Sequence, residues 1–216
     1  MFYDIGRMIG LITGYPLQWI FFKKKVYYEN NHKRNIKKGG KLIISNHNNM
    51  LDYVLTSFMV FPRKLNAVAS EMPFKSKMLR FLMKFFGAIE ANRVTRNMKF
   101  IDQSAEVIKK GQLVQIYPEG RNTPDGKIHE FKKSYLVIAH RAKAPILPIV
   151  TDGNYGFFKR ASVIIGEEID VSQFFTTDKP MPEKAELERA NEYVYNHILA
   201  LRQKLEELKT EKRKRK

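Results

Sequence analysis

The chain has 216 residues, 44% of them hydrophobic, enough for one sizeable core, and its length requires no second domain. It contains no cysteine, which excludes structural disulfides, cysteine-ligated zinc, iron–sulfur clusters and thiol nucleophiles, and fits a reducing, cytosolic setting. With 39 Lys and Arg against 22 Asp and Glu the formal net charge is +17, which points to an anionic partner: nucleic acid, anionic lipid or an acidic carrier protein.

The first element is an uncharged stretch, Met8–Phe22 (MIGLITGYPLQWIFF), closed by Lys23, Lys24 and Lys25. It is shorter than the ~20 residues a membrane span needs. Its charged end is C-terminal and no small-residue cleavage site precedes the lysines, which argues against a signal peptide. Tyr15 and Trp19 suit a headgroup interface and the lysines suit anionic lipid, so residues 1–25 are expected to form a membrane-associated helix on the cytoplasmic face. A first helix buried in the core is the competing reading. Pro16 weakens such a helix, while Gly6, Gly10 and Gly14 are spaced by four, as in close helix contacts within membranes.

Beyond it, short apolar runs alternate with helical patterns. Leu42–Ser45, Leu65–Ala69, Leu113–Tyr117, Ile146–Val150 and Ser162–Ile165 read as strands. The alternation predicts an α/β fold, a single domain over 26–182 with a mostly parallel central sheet flanked by helices. Phe74–Phe86 places Phe74, Met78, Phe81, Leu82 and Phe85 at helical spacing, with Lys77, Arg80 and Lys84 on a neighbouring stripe. A helix lying on a membrane and an ordinary half-buried helix fit that pattern equally. Asn97–Lys110, closed by Gly111, and Lys132–Lys143 are further helices. After Pro180 and Pro182, a long helix over 183–208 repeats Leu187, Val194, Leu201 and Leu208 every seven residues, joined by Ile198 and Leu205. The stripe is the minimum for a coiled coil, and packing against the domain is the commoner outcome. Residues 209–216 (KTEKRKRK) form a basic run expected to be solvated and disordered.

The chemistry concentrates in SNHNNMLD, residues 45–52. Of the 5 histidines, His32, His47, His129, His140 and His197, only His47 is followed at this spacing by an aspartate, Asp52. It follows a strand end, where α/β sheets place ligands, and Asn46 and Asn48 are good turn or cap residues. With a helix opening near Asn48 or Asn49, Asp52 falls one turn in and its carboxylate reaches back to the imidazole. That contact fixes the tautomer and raises the basicity of the other nitrogen, making His47 a general base for a hydroxyl. The bland alternative is a capping histidine, with Asp52 supporting the helix dipole.

No G-x-S-x-G elbow is present, so direct attack by a substrate hydroxyl is simpler than an acyl-enzyme. No ligand spacing such as H-E-x-x-H supports a metal, and no cofactor is required. Two further stretches look like loops for an anion: Gly87–Arg93 (GAIEANR) ends a helix and delivers an arginine, and Tyr117–Gly126 (YPEGRNTPDG) is a turn carrying Arg121. Arginine's forked donors suit a phosphate monoester, although surface and hairpin roles fit each stretch as well. No helix-turn-helix, zinc-finger or RNP-type pattern accompanies the charge, so nucleic acid is not an expected partner.

Together these stretches resemble the glycerolipid acyltransferase family, in particular the 1-acylglycerol-3-phosphate (lysophosphatidic acid) acyltransferases, from about Lys23 to Val171 and in the family's order. His47 and Asp52 match its N-H-x-x-x-x-D motif, and Gly87, Ile89 and Arg93 match the second block. Pro118, Glu119 and Gly120 match the F-P-E-G-T-R block with Tyr117 in place of Phe, and Pro145 and Pro148 match V-P-I-V-P-V. The resemblance implies a His47–Asp52 dyad that moves an acyl group from acyl-carrier protein or acyl-coenzyme A to the free hydroxyl of 1-acylglycerol 3-phosphate, giving phosphatidic acid in phospholipid biosynthesis. It implies that Arg93 and the loop of Glu119, Gly120 and Arg121 hold the acceptor's phosphate, with Lys132 as a further candidate. It also implies attachment to an anionic membrane surface through an N-terminal helical element.

Two departures fall on the acceptor side. Glu119-Gly120-Arg121-Asn122 stands where the family has E-G-T-R, and Phe131-Lys132-Lys133-Ser134 where it has F-K-x-G. They admit a different acceptor, another lysophospholipid or a lyso-aminolipid. A non-catalytic basic lipid-binding protein is the alternative from a different class, and an intact dyad argues against it.

Overall fold

Strands β2 (Lys41–Ser45), β5 (Leu113–Ile116) and β6 (Ile146–Thr151) are buried along their whole length, which is why they read as continuous apolar runs rather than alternating ones. The computed structural model describes residues 2–30, 36, 38–49, 51–92, 98–123, 125–157 and 159–214, and leaves aside the side chains of 2–4, 17 and 212–214. On one side of the central strands lie β3 (Leu65–Ser70) and β4 (Ala88–Ala91), on the other β7 (Ser162–Ile165) and β1 (Lys25–Tyr28). The order is β1-β7-β6-β2-β5-β3-β4. Every neighbouring pair is parallel except β6 with β7, so the expected mostly parallel sheet is present.

The outer strands β1 and β4 are additions to the sequence reading. KVYY has no fully buried position and AIEA has one, so neither carries the apolar run that marks the inner strands. As far as Ala91, β4 also replaces the loop expected over Gly87–Arg93.

Helices cover both faces. On one, α4 (Lys99–Lys109), α5 (Ser134–Ala142) and α6 (Lys184–Lys214) pack against Leu42, Ile44, Val114, Ile116, Ile146 and Ile164. On the other, α2 (Asp52–Val60) packs through Leu55 and Val60 against Ile43, Leu113, Leu147 and Val163. The heptad stripe of α6 is consumed by its own domain: Leu187, Val194, Ile198, Leu201 and Leu205 are all buried in the first cluster. A fully buried side chain of this kind contributes about 1.5–3 kcal/mol. The helix also continues past Leu208, where a disordered tail was expected to begin. At its first residue, the ammonium of Lys209 pairs with Asp152 at 3.1 Å and Glu206 at 3.0 Å and ties the start of the basic run to the domain.

The N-terminal helix, α1 (Phe2–Phe21), is packed on one side only. A Cβ at Gly6 would meet the Phe85 ring of α3 (Lys77–Phe85) at 2.5 Å, and one at Gly14 would meet Phe58 of α2 at 3.2 Å, while Gly10 faces open space. Two of the three spaced glycines therefore serve close packing within the chain. Arg7 is buried on the same side and donates to the Leu65 carbonyl. The other side exposes Ile5, Ile9, Ile12, Trp19 and Ile20. The helix expected over Phe74–Phe86 divides into a 3₁₀ turn at Met72–Lys75 and α3, which buries none of its residues and exposes Met78, Phe81 and Leu82. No helix among the described residues is long and apolar enough to cross a membrane.

Candidate active site

Strands β2, β5 and β6 run the same way and end at one edge of the sheet. Asn46 clips two of these ends together: its amide donates to the Thr151 carbonyl at 2.9 Å, and the Thr151 N–H returns to Asn46 Oδ1 at 2.9 Å. His47 comes next, stacked on the Tyr117 ring with centroids 3.9 Å apart and planes 16° from parallel. Its Nδ1 lies 3.0 Å from Asp52 Oδ2.

Asp52 is the first residue of α2 and not one turn inside it. The delay has a local cause: Asn49 Oδ1 accepts the Leu51 N–H at 3.0 Å, an Asx turn that holds the chain out of the helix. Asp52 Oδ2 closes that turn by accepting the Asn49 N–H at 2.8 Å. The carboxylate is 1% exposed, and its other oxygen accepts a hydrogen bond from the Tyr155 hydroxyl. Burial, and then the Asp52 charge, push the Tyr155 phenol above its ordinary pKa, so it stays protonated and remains a donor. A carboxylate that only accepts requires the proton of the neutral imidazole on Nδ1, which leaves Nε2 as the basic nitrogen. The His47 ring is 20% exposed, so this nitrogen is open to a substrate from the sheet edge.

Glu119 supports this pair from the turn after β5. Its buried carboxylate accepts the His47 N–H at 3.1 Å, the Thr123 hydroxyl at 3.1 Å and the His129 N–H at 3.0 Å. Thr123 in turn donates its N–H to the His47 carbonyl at 2.8 Å, with its hydroxyl oxygen 3.1 Å from the same carbonyl. Both main-chain polar groups of His47 are thereby fixed. An acceptor-only carboxylate has nothing to donate to a phosphate, so Glu119 is a positioning residue, which corrects its expected place among the phosphate-binding groups.

Gly120 sits at φ +69°, and a Cβ there would come within 3.0 Å of Lys132 Nζ. The glycine lets the lysine cross the turn. Lys132 lines a cavity of about 370 Å³ together with Tyr117, Gly120, Ile116, Met98 and Phe100. Arg121 does not line it: it is exposed and donates to His129 Nδ1 at 3.2 Å, whose Nε2 is 3.1 Å from Asp125. Ala91 and Asn92 line the same cavity at the end of β4, and Arg93 lies outside the described residues. The structure thus gathers His47, Asp52, Glu119, Gly120 and Lys132 and sets Arg121 apart. Tyr155 and Thr123 join the site without having been singled out in the sequence, and no spacing or motif marks either. Among the described residues, no three His, Asp or Glu side chains come together as metal ligands would.

The acyltransferase family model matches residues 25–152. The 1-acyl-sn-glycerol-3-phosphate acyltransferase of Bacillus subtilis (strain 168) is 25% identical over 189 residues, covering 85% of this chain and 90% of that one. The enzyme of the same name from Cocos nucifera is 23% identical over 193 residues, covering 88% of this chain and 60% of that one. The crystal structure of the 1-acyl-sn-glycerophosphate (LPA) acyltransferase PlsC from Thermotoga maritima superposes with a TM-score of 0.61 at 21% identity, covering 95% of this chain and 79% of that one, a likeness of fold.

Proposed function

The chain belongs to the acyltransferase family, and from that premise we propose that it moves an acyl group from an acyl thioester, on coenzyme A or acyl-carrier protein, to the free hydroxyl of 1-acylglycerol 3-phosphate, giving phosphatidic acid. The observation that carries this reading is the 3.0 Å contact between His47 Nδ1 and Asp52 Oδ2, which leaves Nε2 to act as base. The acceptor oxygen attacks the thioester carbonyl carbon as its proton passes to His47 Nε2. The C–S bond then breaks, the proton goes to the departing sulfur, and the products are the new ester and a free thiol. Asp52 orients the ring and stabilises the imidazolium formed in between. Holding the two substrates together supplies much of the remaining rate.

The cavity beside Tyr117 is the proposed acceptor site, because Tyr117 both lines it and stacks on the His47 ring. Lys132 is its proposed phosphate contact. With Lys132→Ala the acceptor KM is expected to rise about tenfold with little change in kcat, the loss of one charge-assisted hydrogen bond. A panel of acceptors with and without a phosphate monoester checks this. Equal turnover of a lyso-aminolipid or a phosphodiester lysolipid would remove 1-acylglycerol 3-phosphate as the preferred acceptor.

The same reading places the protein on the cytoplasmic face of an anionic membrane. Its support is the exposed apolar side of α1, with Ile5, Ile9, Ile12 and Trp19, next to Met78, Phe81 and Leu82 of α3 and the cations Lys77 and Lys84. An apolar face bordered by lysines suits the headgroup boundary. Trp19 is the single tryptophan and is 67% exposed, so it reports directly. Its emission is expected to shift to the blue on vesicles containing anionic lipid. An unchanged spectrum at low salt counts against the membrane assignment.

A further inference from the structure

A second cavity, of about 730 Å³, opens on the same edge of the sheet, on the opposite side of His47 from the proposed acceptor site. Its walls come from the end of β6, the starts of β7 and β1, and the C-terminal half of α6. The link to the dyad is short. Gly153 in the cavity wall has φ +67°, and a Cβ there would lie 2.7 Å from Asn48 Cβ, one residue from His47. Tyr155, two residues further on, donates to Asp52.

The charges in this cavity divide into two sets. Arg202 and Lys209 are held by the protein: Arg202 donates to the Thr151 carbonyl at 2.8 Å and lies 3.4 Å from Glu206, and Lys209 pairs with Glu206 at 3.0 Å and Asp152 at 3.1 Å. Lys25 and Arg160 have no carboxylate within ion-pair reach among the described residues. Lys25 instead lies over the Tyr27 ring at 4.8 Å, and Arg160 is exposed at the rim. The cavity therefore presents two cations that its own acids do not balance, one of them a guanidinium fork suited to a phosphate.

We propose that this cavity holds the phosphate of the donor's phosphopantetheine, with Arg160 and Lys25 as its contacts, so that the thioester reaches His47 from the β6–β7 side while the acceptor reaches it from the β5–β3 side. The proposal rests on the acyl-transfer reading above. Both donor types, coenzyme A and acyl-carrier protein, carry this phosphate ester, and in this arrangement the pantetheine arm would run past Gly153 toward the dyad.

The test uses the full chain with Arg160→Ala and the double variant Lys25→Gln/Arg160→Ala, supplied with acyl-coenzyme A, acyl-carrier protein and acyl-pantetheine, which lacks the phosphate. The KM for the phosphorylated donors is expected to rise about tenfold in the double variant, with kcat and the acceptor KM within about twofold, and no change for acyl-pantetheine. A rise for coenzyme A alone, or for the carrier protein alone, identifies the natural donor. Unchanged KM for both phosphorylated donors, or an equal rise with acyl-pantetheine, overturns the site. Calorimetric titration with coenzyme A and with holo-carrier protein supplies a readout that needs no turnover. Weaker binding by the double variant supports the site, and equal binding or none by both proteins overturns it. A wild-type protein that binds coenzyme A through Arg160 and acylates no lysolipid counts against the proposed reaction and leaves this site standing.

Discussion

His47→Ala is expected to lower kcat by about 10²–10⁴-fold while the apparent KM of donor and acceptor stay within about twofold of wild type. The separation is possible because the main chain at this position is held independently of the side chain: Glu119 accepts its N–H and Thr123 donates to its carbonyl. Truncating the ring removes the base and the stacked face on Tyr117, a contact worth about 0.5–1.5 kcal/mol, without releasing the turn. The variant should therefore melt as a folded protein within a few degrees of wild type. Phosphatidic acid formed at the normal rate by this protein would end the base assignment. Glu119→Ala is the contrasting case, since it leaves the His47 and His129 N–H groups without their acceptor and should lower stability and activity together.

What could be read in the sequence was local. His47 and Asp52 lie within one turn of chain, so their residue types and spacing nearly determine their contact. Tyr155 reaches the same carboxylate across 103 residues, and only the pairing of β2 with β6 brings it there. Arg121 stood ahead of Lys132 because the resemblance put it in the phosphate loop and because a guanidinium fork suits a phosphate. The fold places them differently: the left-handed turn at Gly120 leaves room for Lys132, which lines the cavity, while Arg121 lies outside it and donates to His129. The role of Glu119 was hidden for a similar reason: a motif places a residue at a site, but whether a carboxylate faces ligand or backbone depends on where the neighbouring loops put their N–H groups. The stripe on α6 has the same period whether it meets a second helix or its own sheet, and only the surrounding core decides. The inner strands were legible as buried runs. The outer strands β1 and β4, short and half-solvated, had no such signature.

Asp52→Asn separates the two services the carboxylate performs. In the native site Oδ2 receives two donors, the His47 Nδ1–H and the Asn49 N–H, and Oδ1 receives the Tyr155 hydroxyl. An asparagine amide must keep its oxygen at the position facing two donors, which puts its NH₂ toward Tyr155. The phenol can turn to accept from that NH₂ and donate instead to Thr151 Oγ1, 3.0 Å away. Every hydrogen bond then survives and the His47 tautomer is unchanged; what disappears is the negative charge that stabilises the imidazolium. The expected result is a kcat about 10²–10⁴-fold lower, with a near-native melting temperature and acceptor KM. The hydroxyl's reversal has its own consequence. Tyr155→Phe in the wild-type background removes one donor to a carboxylate that keeps two others, whereas in the Asp52→Asn background it leaves a buried N–H facing a phenyl ring. A double-mutant cycle on stability should therefore show coupling of about 0.5–3 kcal/mol between residues 52 and 155, the double variant being less stable than the sum of the singles. Additive effects would mean that the amide takes the other orientation, and wild-type turnover by Asp52→Asn would mean that no imidazolium forms at His47.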